Sequence, residues 1–228
     1  MPDARSLVLE HDRELAETVP EAQLDRARHA SLAGVLSFGA GVWEARRDAE
    51  TARPGFGLLI LDGLLIRRVG FGGRYGAELL SAGDLLRPWQ FDGDGTLGFE
   101  SAWRVLAETR LAVLDVAWAA RMGAFPNVGA ELAGRGLERA RRLAALMVIA
   151  QHPRLEERLL MLFRELADRH GRVMPDGVHV RLPLTHQVLA HLVAARRPSV
   201  SGALGRLASQ GRLLRSGDEW VLAGPPSA

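Results

Sequence analysis

Between Asp176 and Asp218 the chain carries six arginines (Arg181, Arg196, Arg197, Arg206, Arg212 and Arg215) and no carboxylate. Arginine presents five N–H donors in a planar fork that matches phosphate oxygens and the O6/N7 edge of guanine. An acid-free run of such residues is the electrostatic footprint of polyanion binding; its plainer reading is a solvated basic face. The rest of the chain sharpens the contrast. Residues 151–228 hold eleven Arg against seven acids, a net +4, and residues 1–150 hold eighteen against twenty, a net −2. Lysine is absent, which genomic base composition accounts for.

Arginines that read a duplex need a rigid element to carry them into a groove. Thr185 stands where a helix N-cap is wanted, and Val188, Leu189, Leu192 and Val193 give one apolar helical face. Ala194-Ala195 supplies a turn. Pro198 suits the first turn of a second helix, whose buried side is Val200, Ala203, Leu204 and Leu207 and whose end is Gly211. Two short helices joined by a tight turn predict a helix-turn-helix between about Leu184 and Gln210, with the second helix entering the major groove. Its leading end carries Arg196, Arg197, Ser199 and Ser201, the candidate base and phosphate contacts. Thr185, Gln187 and Arg206 complete the candidate DNA-binding set. Arg212–Arg215 and Trp220–Leu222 flank Ser216-Gly-Asp-Glu219, a hairpin that reads as the wing of a winged helix.

Upstream, Val128 to Gln151 lacks proline and spaces Ala133, Leu137, Ala140, Ala144 and Met147 by four and three. This heptad-like seam of small and apolar residues suits a dimer helix, and equally an amphipathic helix packed on its own chain. His152-Pro153 interrupts it. Pro153 fits the first turn of a further helix, Arg154 to His170, with Leu155, Leu159, Leu162, Phe163 and Leu166 inward and Gly171 as its end. Asp176-Gly177 then turns into a strand over Val178 to Leu182. The first half, to about Ala124, is different: short apolar runs broken by glycine. Asp62-Gly63 between Phe56–Leu61 and Leu64–Ile66 predicts a hairpin. Further turns are expected at Gly70–Gly76, Gly83-Asp84 and Asp92–Gly95, further strands at Ala77–Leu80 and Arg110–Val116, and a short helix near Gln23. Such punctuation suggests an antiparallel barrel or sandwich.

The segments Leu184-Thr-His-Gln187, Leu192-Val-Ala-Ala-Arg-Arg-Pro-Ser-Val-Ser201 and Ala203-Leu-Gly-Arg-Leu207 resemble the helix-turn-helix of the Crp/Fnr transcription regulators. The resemblance implies an α+β protein in three parts: a cyclic-nucleotide-binding-type antiparallel β-barrel over residues 1–126, a dimerisation helix over 127–151 and a winged-helix DNA-binding domain over 152–228. Phe38-Gly-Ala-Gly41, Leu61-Asp-Gly63 and Ala82-Gly-Asp84 fall where the barrel's usual glycine turns do. It also implies a homodimer on double-stranded DNA, with RNA polymerase as a candidate further partner. Arg197 matches the family's base-reading arginine. Pro198 stands where many members have Glu and Gly202 where many have a second Arg, so the operator is expected to differ; Arg196 is the candidate replacement contact.

The sensor end departs from the family too. Members that bind cyclic AMP hold its ribose with a Gly-Glu-Leu turn and its phosphate with an Arg-Ser pair. Here the stretches read Gly83-Asp-Leu-Leu-Arg-Pro-Trp89 and Phe99-Glu-Ser-Ala-Trp103. Glu100, in place of the arginine, repels a phosphate. No cyclic nucleotide or other cofactor is expected. Arg87, Trp89, Glu100, Ser101 and Trp103 form either a remodelled effector pocket or, with the tryptophans as core, a filled one. No cysteine means no disulfide, thiolate zinc or iron–sulfur centre. The seven histidines lack ligand spacing, so no metal is expected. No phosphate loop, nucleophile elbow or paired-carboxylate set points to an enzyme. The Met1–Glu14 stretch carries acids instead of an apolar signal core, and no apolar run approaches the 18–20 residues of a span, so a cytoplasmic protein is expected.

Overall fold

The computed structural model describes residues 4–53, 55–91 and 98–223, and the chain divides into two compact units. One comprises residues up to 73 and 79–141; the other comprises 74–78 and 142–228. The turn expected at Asp92–Gly95 lies outside the described residues.

The first unit opens with strand β1 (Ala4–Leu7) and helices α1 (Val8–His11), α2 (Arg13–Glu17) and α3 (Glu21–Ala30). Strands β2 (Leu32–Phe38) and β3 (Gly41–Trp43), helix α4 (Ala45–Ala49), strands β4 (Gly57–Phe71), β5 (Arg74–Ser81, of which 79–81 belong to this unit), β6 (Leu85–Leu86) and β7 (Glu100–Leu114) come next, then helix α5 (Val116–Met122). The sheet has seven strands in the order β1-β2-β7-β4-β5, with β3 beside β7 and β6 beside β4. Leu58, Ile60, Leu65, Leu111 and Val113 face one core with Trp43 and Trp103, while Leu59, Leu61, Ala112 and Leu114 face a second core built with the helices. Both faces are therefore covered, which is why Leu58–Leu61 is continuously apolar instead of alternating.

Two local expectations fail here. Asp62-Gly63 makes no hairpin: β4 runs straight through it, pairing with β7 on both sides, from Gly57 opposite Leu114 to Gly70 opposite Glu100. The register shifts between Ile60 and Leu65, and Gly63 sits at φ +108°. The Asp62 carboxylate accepts the Gly63 N–H at 2.8 Å and the buried Thr109 hydroxyl accepts the Leu64 N–H at 3.2 Å, so the dipeptide is a β-bulge. The strand expected over Arg110–Val116 stops at Leu114, because Asp115 caps α5 by accepting the Trp118 N–H at 2.7 Å. The true hairpin lies at Gly72-Gly73, both at positive φ, between β4 and β5.

Helix α6 (Pro126–Gln151) is 26 residues long. Val128, Leu132 and Ile149 are buried, whereas Ala133, Leu137, Ala140, Ala144 and Met147 are all exposed, Leu137 at 75% and Met147 at 65%. Arg135 makes a bidentate ion pair with Asp12 and reaches Glu14, Glu131 and the Gly83 carbonyl; Arg139 donates to the Leu85 carbonyl at 2.9 Å. No described helix is long and apolar enough to cross a membrane.

The second unit contains α7 (Leu155–His170), β8 (Gly171–Met174), β9 (Gly177–Val180), α8 (His186–Leu192), α9 (Arg197–Ser209), β10 (Leu213–Ser216) and β11 (Glu219–Leu222). Its sheet runs β10-β11-β9-β8. Leu159, Leu162 and Phe163 of α7 are buried with Val188 and Leu189 of α8 and with Val200, Ala203, Leu204 and Leu207 of α9. Phe163 meets the Trp220 ring at 5.0 Å. Pro153 lies outside the first turn of α7, since Arg154 is the N-cap.

Candidate nucleic-acid interface

The two helices of the expected DNA reader form as their caps dictate. Thr185 takes an extended backbone, and its hydroxyl accepts the Val188 N–H at 3.2 Å, starting α8. The turn passes through Ala194 at φ +51°, the one non-glycine residue at positive φ among those described. Left-handed backbone is strained for alanine, and the Ala195 N–H bonded to the Ala190 carbonyl at 2.9 Å holds it. Arg196 then serves as the N-cap of α9, with Arg197 and Pro198 in its first turn. Proline lacks an N–H, so it leaves no unsatisfied donor there. Gln210 closes α9 and Gly211 turns the chain at φ +67°.

This start of α9 is open. Arg196, Arg197, Pro198 and Ser199 are exposed, and among the described residues neither arginine has an ion-pair partner. The helix presents its positive N-terminal end at the same place. Two guanidiniums, a hydroxyl and a helix N-terminus thus converge without a carboxylate from the same segment.

The other candidates are engaged within the domain. Ser201 is half-buried; its hydroxyl bonds the His186 Nδ1 at 2.8 Å and the Arg197 carbonyl at 3.2 Å. The Gln187 amide meets the His191 Nε2 at 2.8 Å, and Thr185 is exposed but caps α8. Arg206 lies on the far turns of α9, where Glu156 takes its Nε at 2.6 Å. Glu156 is held below the usual carboxylate range, first by its own backbone N–H and then by Arg206. Arg212 pairs with Glu157 at 3.0 Å, Arg181 lies 3.9 Å from Glu219, and Arg215 covers the Trp220 ring. Sequence reasoning missed Glu156 and Glu157 because they come from α7, some fifty residues away along the chain. It also missed Arg158, whose guanidinium bonds the His152 carbonyl at 2.5 Å and the Val193 carbonyl at 3.2 Å.

At the sensor end, Trp103 is buried against Trp43 at 5.5 Å, with the Arg67 guanidinium 5.6 Å from its ring. Trp89 is half-buried, with the guanidiniums of Arg53 and Arg87 each 5.5 Å from its ring. The structure therefore joins Arg87 to Trp89 and puts Trp103 in the core. Glu100 and Ser101 start β7 opposite Gly70 and Val69, Glu100 exposed and Ser101 half-buried. Among the described residues, the buried Trp103 Nε1 and Arg87 Nε have no hydrogen-bond partner.

Comparisons with known proteins agree with this arrangement. Residues 153–223 match the family model described as the Crp-like helix-turn-helix domain. Curated protein sequences return no match. Among solved structures, a CooA variant from Carboxydothermus hydrogenoformans aligns over 96% of this chain and 92% of its own, with 15% identity and a TM-score of 0.65. A transcriptional regulator of the CRP family from Thermus thermophilus aligns over 83% and 92%, with 19% identity and a TM-score of 0.56. A cyclic nucleotide-binding domain containing protein from Listeria monocytogenes aligns over 94% and 97%, with 13% identity and a TM-score of 0.67. The chain thus carries a Crp-like helix-turn-helix domain at residues 153–223 on the fold of the Crp/Fnr regulators, a DNA-binding fold.

Proposed function

We propose that the protein is a homodimeric transcription regulator that binds DNA sequence-specifically through the start of α9 and is not controlled by cyclic AMP. The observation that carries the reading is the exposed Arg196–Arg197–Ser199 end of α9, free of carboxylates, in a Crp-like domain. Arg197 is the base reader, bidentate to a guanine edge, and Arg196 and Ser199 bind the flanking phosphates. A second copy of the chain covers the seam Ala133, Leu137, Ala140, Ala144 and Met147. All five are exposed along one 26-residue helix, where small residues permit close approach. Two copies related by a two-fold axis place two α9 starts against half-sites one helical turn apart. Glu100 in place of a phosphate-pairing arginine supports the exclusion of cyclic AMP.

Effector-independent binding is the second reading, and one observation favours it: Arg135 and Arg139 already tie α6 to the carbonyls of Gly83 and Leu85 through bonds internal to the chain. Selection of duplexes from a random pool by the full-length protein, with and without cyclic AMP, tests both. The expected result is one enriched, two-fold symmetric sequence and no response to the nucleotide. Failure to enrich any sequence overturns the proposal. Enrichment only with cyclic AMP overturns its last clause.

A further inference from the structure

We infer that Arg158 is a positioning residue that couples the end of the long helix to the base-reading end of α9. It sits in the first turn of α7, half-buried, and its fork diverges. Nε donates to the carbonyl of His152, the residue immediately after α6, at 2.5 Å. One Nη donates to the carbonyl of Val193, the C-cap of α8, at 3.2 Å. Helix C-termini leave carbonyls without intrahelical partners and carry partial negative charge. One guanidinium therefore caps two helix ends at once, α6 and α8.

The residues after Val193 give this contact its consequence. Ala194 is the strained left-handed residue of the turn, and Arg196, the N-cap of α9, comes two residues later. Holding the Val193 carbonyl fixes the entry to that turn and so the direction in which Arg196 and Arg197 are presented. The His152 carbonyl ties the same guanidinium to the point where α6 stops. A shift of that point reaches the turn through one side chain. Two of the three guanidinium nitrogens of the half-buried Arg158 are engaged by these carbonyls, so its effect on DNA binding is inferred to be indirect. The guanidinium serves the two carbonyls from two separate nitrogens held at a fixed angle; the three donors of a lysine ammonium all sit on one nitrogen of a flexible stem, so lysine is not expected to hold both carbonyls in place.

The inference rests on the DNA-reading function proposed above. Its test uses the full-length protein, a duplex selected by the wild type and an unrelated duplex of equal length. Arg158→Ala is expected to weaken binding to the selected duplex about tenfold, the scale of charge-assisted hydrogen bonds lost, while leaving the unrelated duplex and the salt dependence unchanged. Arg158→Lys is expected to show the same loss. Adding Ala194→Gly to Arg158→Ala removes the strain at the turn, since glycine accepts positive φ, and is expected to recover most of the preference. Full preference in the Arg158 variants, an equal loss on both duplexes, or a salt slope lower by about one phosphate in each copy overturns the inference. Should Arg158→Ala fail to fold, Arg158→Lys carries the same comparison, because it keeps the charge and the stem. If the wild type selects no duplex, the proposed function falls; if it does and the variants keep its preference, only the role of Arg158 falls.

Discussion

In the proposed function Arg197 is the side chain on which sequence specificity turns, because it leads α9 into solvent with no carboxylate to hold it. A bidentate arginine–guanine pair contributes about 1–3 kcal/mol of discrimination. Arg197→Ala is therefore expected to cut affinity for the selected duplex about tenfold to a hundredfold and to relax preference at one base pair of each half-site. Titrating single-base-substituted duplexes checks this, and unchanged preference at every position rules the role out. Ser201 and Arg206, which the linear pattern places in the same set, are expected to act otherwise. Ser201 faces His186, and Arg206 faces Glu156. The helix that carries the candidate readers was legible in the sequence, since caps and an apolar face define it. Which hydroxyls and guanidiniums stay at home was not, because their partners are set by tertiary packing. His179 shows the same limit. It bonds Glu219 at 3.1 Å and Asp176 at 2.9 Å, and these, Glu219 first, raise its pKa, while His179 lowers that of Asp176. A raised histidine stabilises the fold fully below its unfolded value of about 6.5 and loses that contribution as pH rises through the folded value. The lowered Asp176 stabilises above its unfolded value and loses the effect in acid. Thermal melts are expected to show lower stability at about pH 8 than at about pH 6, and His179→Gln is expected to remove that difference.

Elements were legible where periodicity and caps agree, and misread where a local dipeptide has two uses. The four buried positions expected on α9 are the four found, because Val200, Ala203, Leu204 and Leu207 share one helical face. Asp62-Gly63 is a hairpin signal in isolation, yet the fifteen-residue β7 pairs with β4 on both sides of it, and the extra ladder bonds favour a bulge over a turn. Gly63 is what the bulge requires. At φ +108° a Cβ would lie 2.2 Å from the Thr109 hydroxyl oxygen, beside the backbone of Glu108. Gly63→Ala is expected to cost about 2–3 kcal/mol, read as a lower midpoint in urea. Helix α6 makes the opposite case. Leu137 is 75% exposed in one copy, so Leu137→Glu is expected to change monomer stability by no more than about 0.5 kcal/mol. In a dimer it sets two carboxylates into an apolar seam. Light scattering at micromolar concentration is expected to show a dimer for the wild type and a folded monomer for the variant. A dimeric variant would move the interface elsewhere.

At the scale of the whole molecule, the charge asymmetry read from the sequence needs a correction of magnitude. The acid-free window holds six arginines, but acids from outside it engage three: Arg206 with Glu156, Arg212 with Glu157 and, more loosely, Arg181 with Glu219. Arg215 lies over Trp220 and bonds the Gly217 carbonyl. Arg196 and Arg197 remain, two in each copy of the proposed dimer. Binding to duplex DNA releases counterions, and log K falls with log salt by about 0.9 for each phosphate neutralised. If all six arginines of both copies neutralised phosphates, the slope would be about −11. With only the exposed pair in each, it is about −3 to −4. The shallower slope is the expected one, measured as affinity for the selected duplex between about 50 and 200 mM salt. Surface ion pairs are weak enough, at or below about 1 kcal/mol, for phosphate to compete for their arginines. Glu156→Gln with Glu157→Gln separates the two cases. If the ion pairs keep Arg206 and Arg212 from the phosphates, the double variant steepens the slope. If phosphate already displaces the carboxylates in the wild type, its slope is near the larger value and the variant leaves it unchanged. A slope of zero in the wild type would remove electrostatics from the binding altogether and with it the reading of α9 as a DNA contact.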